Sequence, residues 1–598
     1  MKSENKNSDK FIVYIDQDKI EPEIARETVI KYDPLNRPGK EGGFYIDENE
    51  ELHIDDDDVM EAHRMAIKKY PYDGAIQLVN LKKEMGEKVH QFGENTFRLY
   101  GLPKPEEGDI VGILGRNGIG KSVALKILSG KIKPNLGNWE KPPTWKKNKE
   151  KYRGTALQNH FTDLAEQEIE TSFKPQKVED LPKVYEGQVK DLLKQSEERV
   201  EIEDIAEDLE IAKLLERELK ELSGGELQRV AIASTLMKEA DIYMFDEPSS
   251  FLDVKQRLKI AQKIRELKQD DKKVLVVEHD LATLDLVADH IHVFHGEPAT
   301  YGMASNKLTT REGINQYLDG YLESHNLQIR DESLEFVRTK RSQVQKNPPI
   351  MKYPELAKNF GPGEFSLKTK QGTLHEEEVM AIFGENGLGK TVFAKLLSGQ
   401  LKPDNTDKQD YSISYKPQYI DASKGTVYEA LSEHANPESK RFETRIAEPL
   451  ELEDLYENNL QELSGGELQR VAIALCLSRN AEAYLLDEPS AYLDVEARVK
   501  LGKTLKRFAR KTEKPLIIID HDLMLLDYVA DTGTVFHGKP GIQGQTTQKT
   551  KLSEAMNTFL KQLQITYRKD PDTGRPRANK KGSQKDKTQK KKENYYEN

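Results

Sequence analysis

The dodecamer LSGGELQRVAIA stands at 222–233 and again, letter for letter, at 463–474. Each copy sits inside the same ordered set of short patterns. GRNGIGKS at 115–122 and GENGLGKT at 384–391 both fit the phosphate-binding loop G-x-x-x-x-G-K-[ST]. Each follows an apolar run, DIVGIL or EVMAIF, and opens a helical pattern, VALKILSG or VFAKLLSG. One match could be chance. Two matches, each in strand–loop–helix context, commit the chain to two tandem α/β nucleotide-binding domains.

The chemistry follows from the residue types. Gly115, Gly118 and Gly120, and in the second loop Gly384, Gly387 and Gly389, let backbone N–H groups, with those of Asn117 and Asn386, wrap phosphate oxygens. Lys121 and Lys390 are expected to reach the β- and γ-phosphates, and Ser122 and Thr391 to ligate Mg²⁺. Val123 and Val392 follow directly. Downstream, IYMFDEPSSFLD (242–253) and AYLLDEPSAYLD (483–494) read as buried strands ending in Asp-Glu. Asp246 and Asp487 are placed to hold Mg²⁺, and Glu247 and Glu488 to polarise the attacking water. VLVVEHD (274–280) and LIIIDHD (516–522) end a third strand in His279 and His521, candidate γ-phosphate contacts.

Composition narrows the class. No apolar run approaches the roughly 20 residues that cross a bilayer, and the polar start MKSENKNSDKF has no apolar leader core. A soluble, cytoplasmic protein is expected. Cys476 is the only cysteine, so internal disulfides and cysteine-built metal sites are excluded, and in VAIALCLS it reads as a small buried hydrophobe. The net charge of −12 argues against simple wrapping of nucleic acid, but the charge is uneven. DENEELHIDDDD at 47–58 is acidic, whereas 568–592 is basic and reads as a solvated tail, the other reading being an RNA-contacting arm.

The full set resembles the ATP-binding cassette, whose signature is LSGGELQRV. In that family two cassettes face head to tail, and each signature covers the nucleotide of the other; SGG opening a helix suits an incoming γ-phosphate. The resemblance implies a first site joining Lys121, Ser122, Gln158, Asp246, Glu247 and His279 to Ser464, Gly465, Gly466 and Glu467. It implies a second joining Lys390, Thr391, Gln418, Asp487, Glu488 and His521 to Ser223, Gly224, Gly225 and Glu226. Gln158 in ALQNHF and Gln418 in YKPQYI are taken for the Q-loops. The signatures and the Asp-Glu pairs each repeat at 241 residues, but the phosphate loops at 269, so the first cassette holds 28 extra residues. That insertion contains PPTWKKNKEKYRGTALQNHF (142–161), where Trp145 and Tyr152 among basic residues suit either a solvated loop or an RNA surface.

PNLGNW, RGTALQNHF, MFDEPSSFLDVKQRLK, REGINQYLDGYL (311–322), YKPQ and ITYRKDPDTGRPRANK (565–580) together resemble the ABC-E family, the ribosome-recycling ATPases also called RNase L inhibitors. FGENTF (92–97) is similar to its adenine-stacking segment, pointing to Phe92 and Phe97. The resemblance implies a small ferredoxin-like α+β domain at 1–76, a first cassette at 77–310 with a basic insertion near 140–180, a hinge at 311–345, a second cassette at 346–545, and a second hinge with a basic tail at 546–598.

ABC-E proteins carry eight cysteines for two [4Fe–4S] clusters at the N-terminus. Here those positions fall on Met60, His63, Ala66 and Tyr70, and on Ile20, Ala25, Val29 and Asp33. No iron–sulfur cluster is expected, and the apolar residues among them are expected to fill its volume. DDDDVMEAHRMAIKKYP is expected to form a helix capped by Asp, and the acidic run to meet ribosomal protein or the first cassette. The implied cofactors are ATP and Mg²⁺. The implied partners are the small ribosomal subunit, through rRNA and ribosomal proteins, and a release-factor-like protein, bound by a monomer. The alternatives are a cluster-less paralogue that occupies ribosomes without splitting them, or an ABC-F-like translation factor.

Overall fold

The computed structural model describes residues 10–36, 42–72, 74–81, 87–166, 168–196, 198–336, 347–406, 411–418 and 425–597. The end of the first hinge segment, 337–345, lies outside them.

Two large sheets repeat one topology. In the first cassette the strand Ile110–Leu114 lies at the centre, parallel to Lys273–Val277 on one side and His290–Glu297 on the other. Ile242–Asp246 and then Thr171–Lys174 continue the parallel sheet outward. In the second cassette Val379–Phe383, Leu516–Ile519, Ala483–Asp487 and Ile413–Lys416 follow the same order. All five residues of Ile110–Leu114, Ile242–Asp246, Val379–Phe383 and Ala483–Asp487 are buried, as continuous apolar strands covered on both faces require. The phosphate loops, the Asp-Glu pairs and the histidines all leave the carboxyl ends of these strands, which is where such sheets bind ligands.

The N-terminal domain pairs Lys10–Ile15 with Ile76–Leu81 antiparallel over a core of Val13, Ala25, Val29, Phe44, Leu52, Ile54 and Tyr70. Of the apolar residues at the positions where the resemblance implies cluster ligands, Ala25, Val29 and Ala66 are fully buried, but Met60 is 37% exposed and lies outside that core. The expected Asp-capped helix is a single turn and a half, His63–Ile67, with Ala62 before it and no side-chain cap. Its acidic lead-in has other work: Asp56 pairs with Arg98 and, at 2.9 Å, with Lys88 of the first cassette.

Two further expectations change. The insertion forms helices Trp145–Lys151 and Ala156–Glu166, and Trp145 and Tyr152 pack on Phe161 at 6.2 and 5.0 Å between ring centres. Their faces are occupied by this small core, so they do not form a free stacking platform. The basic C-terminal segment is folded rather than a solvated tail. Strands Tyr567–Lys569, Pro576–Ala578 and Tyr596–Glu597 form a sheet, with helix Gln584–Lys591 between the last two. Tyr567, Tyr595 and Tyr596 enter the core of the second cassette, which accounts for the ordering of so charged a stretch. Arg575 and Arg577 both pair with Asp285 of the first cassette, so the segment spans the two.

Candidate functional site

Each phosphate loop is held shut by packing and by its own lysine. Lys121 donates from Nζ to the carbonyls of Gly115 (2.9 Å) and Arg116, and Lys390 to those of Gly384 (2.8 Å) and Glu385 (3.0 Å). Gly120 has φ +87° and lies against the Phe97 ring, where a Cβ would stand 2.4 Å from the ring tip; a side chain is excluded twice over. Ser122 donates to Asp246 Oδ2 at 2.8 Å, and Thr391 to Asp487 Oδ2 at 2.9 Å. A hydroxyl beside a carboxylate at the mouth of a phosphate loop is the hard-oxygen set that suits Mg²⁺.

The carboxylates after them are strongly perturbed. Burial, then the neighbouring Asp246, raises the Glu247 carboxyl, and burial with Asp487 pushes Glu488 up to about 7. His279 Nε2 lies 3.5 Å from Glu247 Oε1, and His521 Nε2 3.7 Å from Glu488 Oε1. Burial, reinforced by Lys121 and Lys390, keeps both imidazoles neutral.

The Q-loop assignment of Gln158 is corrected. Gln158 lies in the insertion helix Ala156–Glu166 and accepts from the Gly154 amide at 2.6 Å. Gln176 takes the expected place, donating to Glu247 Oε1 at 2.6 Å as Gln418 donates to Glu488 Oε1 at 2.8 Å. The repeat of FKPQ (173–176) and YKPQ (415–418) carried the signal. Lys174 and Lys416, in the same tetrapeptides, anchor the Asp-Glu pairs by donating to the Asp246 and Asp487 carbonyls at 2.8 and 2.9 Å.

The cassettes meet head to tail. A cleft of about 1,410 Å³ is lined together by Lys121, Ser122, Asp246 and Glu247 of the first and Ser464, Gly465 and Gly466 of the second. Phe92 and Phe97 line it too, Phe92 being 52% exposed and Phe97 partly buried. Their counterparts in FGPGEF, Phe360 and Phe365, were missed; Phe365 sits against Gly389 as Phe97 does against Gly120. Gln418, expected at the second site, also borders this cleft. Glu226 and Glu467 cap their own helices, each accepting from the amide of Ser223 or Ser464 at 2.8 Å in a capping box.

The contacts across the interface obey a pseudo-two-fold. Asn117 N donates to Asp494 Oδ2 at 2.9 Å, and Asn386 N to Asp253 Oδ2 at 2.8 Å. The side chains of Asn117 and Asn386 reach the carbonyls of Tyr492 and Phe251, both at 3.4 Å. Those two aromatics flank the signature glycines of their own cassettes and meet each other edge to face at 5.7 Å. Each signature therefore borders the phosphate loop of the other cassette. Arg116–Glu496 and Lys255–Glu385 add ion pairs at 3.2 and 2.8 Å. The role of Asp253 and Asp494 was not legible beforehand, because it exists only once the halves are docked.

Comparison with known proteins fits this geometry. The ABC transporter family profile matches residues 104–250 and 367–491. The translation initiation factor RLI1 of Chaetomium thermophilum is 40% identical over 98% of this chain and 97% of its own, and ABC transporter E family member 1 of Arabidopsis thaliana is 39% identical over 98% of both. A solved RNase-L Inhibitor superposes with TM-score 0.80 at 46% identity, covering 85% of this chain and 99% of the other. A chain from a model of ribosome-bound archaeal Pelota and ABCE1 reaches TM-score 0.92 at 43% identity, covering 98% and 99%. With two docked cassettes and relatives of this identity over nearly its whole length, the chain belongs to the ABC-E family of twin-cassette ATPases.

Proposed function

We propose that this ATPase acts on ribosomes in translation, binding the small subunit and splitting or recycling ribosomes with a release-factor-like partner, as a cytoplasmic monomer. The head-to-tail cleft joining Lys121 to Ser464 and Gly466 is the observation that carries the reading. A nucleotide in such a cleft contacts both cassettes and so favours their closure, and its hydrolysis removes the bond between them. The names of the relatives, a translation initiation factor and a chain from a ribosome-bound assembly with Pelota, support the ribosome as the object of that motion.

In this reading the phosphate loops and Lys121 and Lys390 hold the phosphates, and the signature serines and glycines approach from the opposite cassette. Mg²⁺ at Ser122–Asp246 and Thr391–Asp487 would neutralise phosphate charge. Glu247 and Glu488, oriented by Gln176 and Gln418, position the attacking water, and the neutral His279 and His521 face the γ-phosphate. Phe92 and Phe97 would pack on the adenine.

An iron–sulfur cluster does not fit. Ala25, Val29 and Ala66 are buried without donor atoms, and Asp33 and His63 engage each other. That observation favours a second reading, a ribosome-binding regulator that does not split subunits. Sedimentation of ribosomes with purified protein, ATP or a non-hydrolysable analogue, and release factor separates the two. ATP-dependent conversion of whole ribosomes to subunits supports recycling, and ATP-dependent co-migration without conversion supports the regulator. No association in any nucleotide state overturns both.

A further inference from the structure

The hairpin formed by Tyr45–Ile46 and Leu52–His53 gathers Asp47, Glu51 and His53, with one ligand atom from each lying within 4.8 Å of the others. None of the three is a position where the resemblance implies a cluster ligand. His53 Nε2 stands 3.7 Å from Asp47 Oδ2 and 3.7 Å from Glu51 Oε2. That is too long for a hydrogen bond, yet close to the spacing of two donors sharing one ion, about 3.4 Å for bonds of roughly 2.1 Å at a tetrahedral angle.

The imidazole supplies an independent observation. It is held against the Tyr45 ring at 5.6 Å, its side chain is only 13% exposed, and Nδ1 is shut off from water without a well-aligned hydrogen bond. Nδ1 faces Glu94 Oε2 at 3.2 Å, and Glu94 also accepts from Tyr45 Oη at 3.3 Å. The ring thus turns Nδ1 toward Glu94 and Nε2 toward the other two carboxylates, the place of either a second ring proton or a divalent cation. Carboxylate, imidazole and metal in line is the usual way a ligating histidine is oriented. Asp47 is set in advance, because its Oδ1 accepts from the amides of Asn49 and Glu51, both at 2.9 Å.

We propose that Asp47, Glu51 and His53 bind a divalent cation of the zinc class, with Glu94 as the outer carboxylate that fixes the imidazole. One imidazole and two carboxylates suit Zn²⁺ better than Mg²⁺, which prefers oxygen alone. Because Glu94 lies between Phe92 and Phe97, the bound ion would fasten the N-terminal domain to the segment beside the first phosphate loop.

Titration calorimetry of the full chain with ZnCl₂, without nucleotide, tests this. One equivalent should bind the native protein; His53→Ala and the surface variant Glu51→Gln should lose it; Glu94→Gln should weaken it by about 10- to 100-fold. Mg²⁺ at the same concentration should give no competing isotherm. Circular dichroism of Glu51→Gln, whose side chain is half exposed, guards against misfolding. Zinc binding unchanged in both His53→Ala and Glu51→Gln, or no stoichiometric binding by the native chain, overturns the proposal.

Discussion

His63 Nε2 lies 3.3 Å from Asp33 Oδ1, with both side chains completely buried. Both fall on positions where the sequence resemblance implies cluster cysteines, one from each set. Asp33 also accepts from the amides of Phe44 and Leu35, each at 2.7 Å, and His63 packs edge-on against Phe44 at 5.6 Å. A polar cross-link thus ties the two halves of the small domain.

Removing one partner should strand the other. His63→Ala or Asp33→Ala is expected to destabilise the N-terminal domain by about 3–5 kcal/mol, the usual cost of breaking a buried pair. Hydrogen exchange would show lost protection in Lys10–Ile15 and Ile76–Leu81, with the cassette strands unaffected. His63 and the two backbone amides hold the Asp33 carboxyl below its ordinary range despite burial, which opposes this. Its contribution should therefore be present above about pH 3.9 and lost as pH falls through the lower folded value.

Gln176→Ala should slow turnover at the first site, whereas Gln158→Ala should leave it unchanged. The hydrogen bond to Glu247 is worth about 1.5–3 kcal/mol if the carboxylate is charged, or roughly 10- to 100-fold in rate if it is expressed in the transition state. Single-turnover hydrolysis of the two variants side by side gives the answer.

Glu247→Gln and Glu488→Gln should bind ATP nearly normally and hydrolyse it slowly at the altered site. Filter binding with labelled ATP, followed by phosphate release, reads both steps. Unaltered steady-state hydrolysis in the double variant would contradict the assigned roles.

Gly302 and Gly544 buttress the phosphate loops from behind. A Cβ on either would lie 1.8 Å from the Ile119 carbonyl oxygen or 2.1 Å from that of Leu388, both backbone atoms directly preceding the loop's last glycine. Gly302→Ala or Gly544→Ala should displace that loop at a cost of about 1–3 kcal/mol, roughly 5- to 150-fold in nucleotide Kd. Titration with a fluorescent ATP analogue, with the other site blocked by its own loop-lysine substitution, measures each.

What could be read from the chain alone was whatever is local and ordered. The phosphate loops, signatures and Asp-Glu strands each carry their chemistry within about a dozen residues, so position along the chain nearly equals position in space. Gln158 failed because a helical insertion displaced the register that spacing relied on, although the twin KPQ tripeptides preserved it. Trp145 and Tyr152 failed because aromatic residues among lysines look alike whether they face solvent or Phe161. The basic C-terminal stretch failed because the tyrosines that flank it, Tyr567 before and the adjacent Tyr595 and Tyr596 after, outweigh its charge once the second cassette is there to receive them. Asp253 and Asp494 could not be seen at all, since their partners lie 133 and 377 residues away.

The tandem arrangement also frees the two catalytic centres from one another. A dimer of one cassette would have identical centres, and any substitution would strike both. Here each loop meets a different signature on the same polypeptide, so assembly is intramolecular and independent of dilution, and each centre can drift alone. The drift is visible: the Ser250 hydroxyl donates to the Glu247 carboxylate at 3.2 Å where Ala491 has no side-chain donor, Glu278 stands where the second centre has Asp520, and Phe251 faces Tyr492. A gene encoding one such cassette twice could thus acquire two timers from what began as one.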